Sequence, residues 1–102
     1  MQNIIYQTGV TSNTPSIASA ATALAANTKR IAWHIQNLST NPLFVRFGAG
    51  ASTSVFHIIL KGSTGANDGS GGFYEQNGGT TYTGIVTIDG TSPSYTVWEC
   101  NP

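Results

Sequence analysis

Arg30-Ile31-Ala32-Trp33-His34-Ile35-Gln36-Asn37 is the stretch that decides the fold. Ile31, Trp33 and Ile35 fall on one side of an extended chain, with Ala32, His34 and Gln36 on the other. Successive side chains of a strand point to opposite faces, so this period of two predicts a half-buried strand with Trp33 inside. Leu38-Ser39-Thr40-Asn41-Pro42 follows as a turn, because proline fixes its own φ, lacks a donor and pushes Asn41 away from the helical region. Beyond it Leu43, Val45 and Phe47 alternate with Phe44 and Arg46 until Gly48-Ala49-Gly50 stops the run. A hairpin joining the two strands is the expectation.

The same habit extends in both directions. Residues 55–60, Val-Phe-His-Ile-Ile-Leu, form a nearly continuous apolar run, too short for a helix and rich in β-branched side chains, which predicts a central strand. Residues 62–72 are rich in glycine and poor in apolar side chains, as expected of a long loop. Residues 82–89 and 94–99 each read as a further strand, the first ending at the turn signal Asp89-Gly90 and the second following Pro93. Residues 16–26 carry two readings. Their alanines and the Thr14-Pro15 start favour a helix, but Ile17 and Leu24 are the only large apolar side chains available to hold one on a core, so an extended segment is preferred.

These elements predict a single all-β domain, an antiparallel two-sheet β-sandwich of jelly-roll-like character, with an Ig-like sandwich as the alternative. Residues 1–15 are expected as an N-terminal arm, and residues 16–102 as the sandwich with its long loop at 62–72. The apolar cluster Ile4, Ile5 and Tyr6 in the arm suits strand addition to a neighbour. Deleting residues 1–9 is then expected to leave the free domain folded.

Composition narrows the function. Of 102 residues only 8% are charged, four basic and four acidic, for a formal net charge of zero. Nucleic-acid binding draws its affinity mainly from neutralised phosphates, and four cations supply no such footprint. The first residues have neither a basic region nor an apolar run, and no stretch reaches membrane-spanning length, so no signal peptide and no membrane partner are expected. A single cysteine, Cys100, forms no intrachain disulfide. His34, His57, Asp68, Asp89, Glu99 and Cys100 are scattered without metal-ligand spacing, and no nucleophile elbow or phosphate-binding glycine loop is present. No cofactor, metal or enzymatic activity is expected. Asn37-Leu38-Ser39 matches a glycosylation sequon, but chance is the preferred explanation.

Lys29, Arg30 and Arg46 are three of the four cations and are expected to make polar contacts to a subunit or partner. Trp98 alternates with Val97, so one of the two faces away from the local core. An outward tryptophan points to a subunit contact, since that residue is enriched in interfaces.

The residues 25–37, Ala-Ala-Asn-Thr-Lys-Arg-Ile-Ala-Trp-His-Ile-Gln-Asn, then Asn41-Pro42-Leu43-Phe44-Val45-Arg46-Phe47-Gly48, resemble an outline of small virion structural proteins of tailed bacteriophages. That outline is a turn ending in arginine, a strand closing on Ile-Gln-Asn, and a strand ending at Phe-Gly. Phe56-His57-Ile58-Ile59-Leu60-Lys61 and Asp68-Gly69-Ser70-Gly71-Gly72 continue it, so the resemblance covers roughly residues 22 to 99. It implies a capsid decoration or cement protein, often a homotrimer, bound to the major capsid protein or another virion protein. The implied location is the capsid surface, after synthesis in the host cytoplasm. The alternative is a carbohydrate-binding β-sandwich module of a head or tail fibre, with Tyr74, Tyr82 and Trp98 as stacking platforms.

Overall fold

In the computed structural model, which describes the backbone of residues 6–14 and the whole of residues 20–101, eight strands form two sheets. They are β1 (Tyr6–Thr14), β2 (Ala21–Leu24), β3 (Ala32–Asn37), β4 (Leu43–Phe47), β5 (Ile58–Leu60), β6 (Phe73–Asn77), β7 (Val86–Gly90) and β8 (Tyr95–Asn101). Sheet A has the order β1-β8-β3-β6 and sheet B the order β2-β7-β4-β5. Every neighbouring pair is antiparallel. The first strand pairs with the eighth, the second with the seventh, the third with the sixth and the fourth with the fifth. The chain is therefore a long hairpin of paired strands wrapped over itself, so that successive pairs fall alternately in sheet A and sheet B. The sheets share no strand, and the architecture is an antiparallel β-sandwich with open edges rather than a closed barrel.

The alternation of β3 places Trp33 and Ile35 in the core with no exposed surface, where they meet Leu43 and Val45 of β4, Val86 and Ile88 of β7, and Val97 of β8. Each such side chain withdrawn from water contributes roughly 1.5–3 kcal/mol, and this layer holds the two sheets together. Trp33 anchors an aromatic group at one side of the core, with Phe47 at 5.6 Å and Tyr74 at 5.5 Å between ring centroids. Its indole N–H donates to Gln76 Oε1 at 2.9 Å, and the same oxygen accepts from Tyr82 N, so a polar side chain satisfies two buried donors.

Both ends of β3 are closed by a buried polar residue that reaches across to sheet B. At the start, Arg30 donates from Nε to Glu99 Oε1 of β8 at 2.9 Å. It also donates to the carbonyls of Ala25, just after β2, and of Tyr82 and Gly84, just before β7. At the far end, Asn37 Nδ2 donates to the carbonyls of Asn41, Leu60 and Lys61, while its Oδ1 accepts from the backbone N–H and hydroxyl of Ser39. The edges of a sandwich leave backbone carbonyls with no strand partner, and these two side chains supply the missing donors.

Several expectations change. β3 and β4 lie in different sheets, so residues 38–42 are a crossover rather than a hairpin turn. The cause is that both strands bury a full inner face, and each needs the other opposite it rather than beside it. The run at 55–60 is not a central strand: only Ile58–Leu60 is strand, at the edge of sheet B, and Val55 and Ile59 are exposed. Residues 82–85 belong to the crossover from β6 in sheet A to β7 in sheet B, held by Arg30, and the strand begins at Val86. β6 is a further strand, lying between the loop at 62–72 and the expected strand at 82–89, where no element is predicted. In the region of two readings, β2 is extended, while residues 16–19 lie outside the described residues. Tyr6–Thr14 is the edge strand of sheet A, paired with β8 of its own chain, and not an arm separate from the sandwich. Deleting residues 1–9 would remove part of that strand.

Candidate functional site

The inner faces are consumed by the core, so any partner must be met by the outer faces, the edges or the connecting loops. On sheet A, register sets the outer face. His34 of β3 lies opposite Trp98 of β8 on one side and Glu75 of β6 on the other. The His34 ring stacks on Trp98 with centroids 5.5 Å apart and planes 8° apart, and on Phe73 at 5.6 Å and 23°. Three neighbouring strands thus carry one aromatic stack across the face. Phe73 ends it on the edge strand β6, with 61% of its surface exposed. At these spacings and angles the rings are offset-stacked, so both faces of the imidazole are covered. Burial between the two rings pushes the His34 pKa below its ordinary value, against the opposing pull of the Glu75 carboxylate.

Sheet B carries a second apolar area. Phe44 of β4 lies opposite Ile59 of β5, and its ring meets that of Phe56 edge-on at 5.2 Å. Ile59 is 51% exposed and Val55 43%. Arg46, two residues along β4 from Phe44, is on the same outer face, since Val45 between them is fully buried.

The expected site residues are dispersed. Trp98 is half-buried on the outer face of sheet A, and Arg46 is half-buried on that of sheet B. Lys29 is exposed in the turn before β3, its N–H bonded to Asn27 Oδ1. Arg30 is corrected: only 3% of it is exposed, and four of the five N–H groups of its guanidinium are engaged by Glu99 and three carbonyls, so it is turned into the fold and not toward a partner. Ile4 and Ile5 lie outside the described residues, and Tyr6 is known as the first backbone position of β1, opposite Asn101. Of the expected sugar platforms, Tyr74 and Tyr82 pack against the core around Phe47, and Trp98 is stacked on His34. A sugar is left chiefly the outer ring face of Phe73.

Groups with chemical potential are occupied elsewhere. His57 Nδ1 accepts from Phe47 N, and the ring stacks on Phe47, far from the role of a base beside a nucleophile. Cys100 is buried, and burial together with the Glu99 charge raises its pKa, which keeps the thiol protonated and unreactive. Among the described residues, no three His, Cys, Asp or Glu side chains converge as a metal site. Asp68 accepts from Gly65 N, Ser70 N and Ser70 Oγ, so it organises its own glycine-rich loop. A shallow groove of about 220 Å³ beside β2 is lined by alanines, Thr22, Gly50 and Thr87. Thr87 Oγ1 already bonds Gly48 O and Ala51 N, so its hydroxyl serves the fold. Asn37 Nδ2 is likewise fully engaged within the fold, so the sequon presents no free amide.

The chain matches no protein-family model, no curated protein and no solved structure. The assignment as a virion, bacteriophage, capsid-decoration or cement protein therefore has no relative behind it and is withdrawn, together with the capsid location and capsid partner it implied.

Phe73 and the aromatic role of His34 escaped the sequence reading. The available signal was the alternation Phe73-Tyr74-Glu75-Gln76, which places Phe73 and Glu75 together on one face.

Proposed function

We propose that the protein is a non-enzymatic structural module that works by lateral protein–protein contact within a multi-copy assembly, on a jelly-roll sandwich. The strand orders 1-8-3-6 and 2-7-4-5, with each strand paired to its mirror in chain order, support the jelly-roll reading. The observation that carries the functional reading is the exposure of large apolar side chains on both outer faces: Phe73 on sheet A and Ile59 on sheet B, with Val55 exposed in the loop before β5. Apolar side chains grouped on a surface mark contact sites, and aromatic residues are enriched where proteins meet. The scarcity of charge favours the same use, since a hydroxyl or amide that finds a partner is less costly to desolvate than an ion.

Light scattering of the purified full chain across a concentration series tests this. Self-association that is weakened by Phe73→Ser supports the reading. A monomer at every concentration, combined with glycan-array binding that is lost in a folded Trp98→Ala or Phe73→Ala variant, would replace it with the carbohydrate-binding reading.

A further inference from the structure

Asn77-Gly78-Gly79 closes β6, and Asn77 is the only asparagine of the chain that is followed by glycine. An asparagine amide carbon is an electrophile for the next backbone nitrogen, and the five-membered ring that results closes fastest where no Cβ crowds that nitrogen. Local structure decides whether the attack is open. Asn37 N donates to Gly72 O, which fixes the ladder: Tyr74 and Gln76 turn their backbone bonds toward β3, while Phe73, Glu75 and Asn77 turn theirs away. β6 is the edge of sheet A, so no strand receives them. Gly78 accepts from Thr81 N and Thr81 Oγ1 through its carbonyl, but among the described residues its N–H has no acceptor. Among the same residues the Asn77 amide is held only by a 3.4 Å bond to Glu75 Oε2. Asn77, Gly78 and Gly79 are all exposed, and a Cβ placed at either glycine would meet nothing within 4 Å. Rotation about the Asn77 Cα–C bond, which brings Gly78 N to Asn77 Cγ, is therefore opposed by no bond to the Asn77 carbonyl or the Gly78 N–H.

The two aspartates that precede a glycine are closed to the same chemistry. Gly90 is buried in β7, and its N–H already donates to the Asp89 carboxylate at 2.8 Å. Asp68 accepts from Ser70 Oγ, Ser70 N and Gly65 N, and these bonds, led by the Ser70 hydroxyl, hold its carboxyl ionised below the usual range. An ionised carboxylate is a poor electrophile. We propose that Asn77 is a self-modification site, converted through a cyclic imide with Gly78 to a mixture of aspartate and isoaspartate. Gly78 N gives its proton to solvent and bonds to Asn77 Cγ. The Cγ–Nδ2 bond breaks, and ammonia leaves with a proton from solvent. Water then opens the ring at one of its two carbonyls, its hydroxyl going to carbon and its hydrogen to nitrogen. Opening at Cγ leaves aspartate, and opening at the main-chain carbonyl leaves isoaspartate, whose backbone runs through Cβ. The sum is amide plus water giving acid plus ammonia, with nothing oxidised or reduced. Either product takes the formal net charge from zero to minus one and adds a carboxylate two residues from Glu75 at the end of β6.

Ageing of the purified full chain in mildly alkaline buffer, followed by isoelectric focusing and peptide mapping, tests this. The period is set as several times that in which the urea-unfolded chain reacts at Asn77. A more acidic species is expected to accumulate in the folded chain, with Asn77 reacting about tenfold or more faster than any other asparagine, since glycine alone leaves the attacking nitrogen uncrowded. Cleavage after glutamate isolates residues 76–99, in which Asn77 is the only asparagine. Fragmentation of that peptide separates Asn77 from Gln76 and isoaspartate from aspartate. Asn77→Gln, an exposed change that would need a larger and slower ring, is expected to lack the acidic species, and thermal unfolding establishes that the variant is folded. A folded wild-type chain that stays intact over the period overturns the proposal, because the strand end then keeps Gly78 N away from the amide. An acidic species that maps to another residue overturns the site. Aspartate without isoaspartate overturns the cyclic route.

Discussion

Replacing Arg30 with Met removes a guanidinium from the end of the sandwich and leaves a side chain that fills most of the same volume. Four acceptors lose their donor: Glu99 Oε1 at 2.9 Å, Ala25 O at 2.7 Å, and Tyr82 O and Gly84 O at 3.0 Å each. Removing one partner of a buried ion pair costs roughly 3–5 kcal/mol, because the remaining charge is stranded. Glu99 softens that figure. Its side chain keeps 20% of its exposure and still accepts from Asn27 Nδ2 at 3.2 Å, so water and Asn27 recover part of the loss. The three carbonyls come from both sides of the sheet B edge and have no replacement donor. A loss of about 3 kcal/mol is expected, which for a domain of this size lowers Tm by roughly 12–24 °C. Arg30→Lys retains the charge, but a single ammonium does not span four acceptors spread over three segments, so a loss of about 2 kcal/mol is expected. Urea unfolding followed by tryptophan fluorescence measures both, with exposed Lys29→Met as the control and Glu99→Gln completing a double-mutant cycle. If Arg30→Met costs under about 1 kcal/mol, or no more than Lys29→Met, the guanidinium does not hold the sheets together and the argument fails.

Asn37→Ala strips three carbonyls and the Ser39 donors of their shared partner and is expected to cost about 3 kcal/mol in the same unfolding assay, whereas Asn41→Ala, which loses a single bond to Thr91 O, should cost well under half of that. Gly71→Ala drives a methyl into the backbone carbonyl of Asn37 and is expected to lower stability by at least about 2 kcal/mol. Gly79→Ala, where a methyl meets open space, should be nearly neutral by thermal melting. His34 supplies a pH test. Its folded pKa is depressed, so on acidification the unfolded chain takes up the proton first, and the stability it contributes is present above about 6.5 and is lost as pH falls through the folded value. Urea midpoints measured from pH 7 to about pH 5 should decline, and the decline should flatten in His34→Gln.

The alternation in β3 and β4 was legible because each strand buries one face completely, so Trp33, Ile35, Leu43 and Val45 carry a clean period of two. The all-β class and the extended character of β2 followed from the same kind of local evidence. β6 was hidden because an edge strand has only one face and one neighbour to satisfy. Phe73, Glu75 and Asn77 face outward, and one of its inward positions is the polar Gln76, so the hydrophobic pattern is weak. The run at 55–60 misled for the opposite reason. Its apolar residues divide between the core, where Leu60 lies, and an exposed outer patch, where Ile59 lies.

Local sequence thus determined that β2, β3, β4, β7 and β8 are extended and which face of each inner strand is apolar, since those properties depend on neighbours one or two residues away. Tertiary structure decided which strands lie side by side and what the polar residues do. Arg30 reads as a surface cation in the sequence, and it becomes an internal clamp only because acceptors 5, 52, 54 and 69 residues away converge on it. The outer-face stack has the same origin. Trp98, His34 and Phe73 meet through the register of three strands remote in sequence, and that register is set by the burial of the opposite faces.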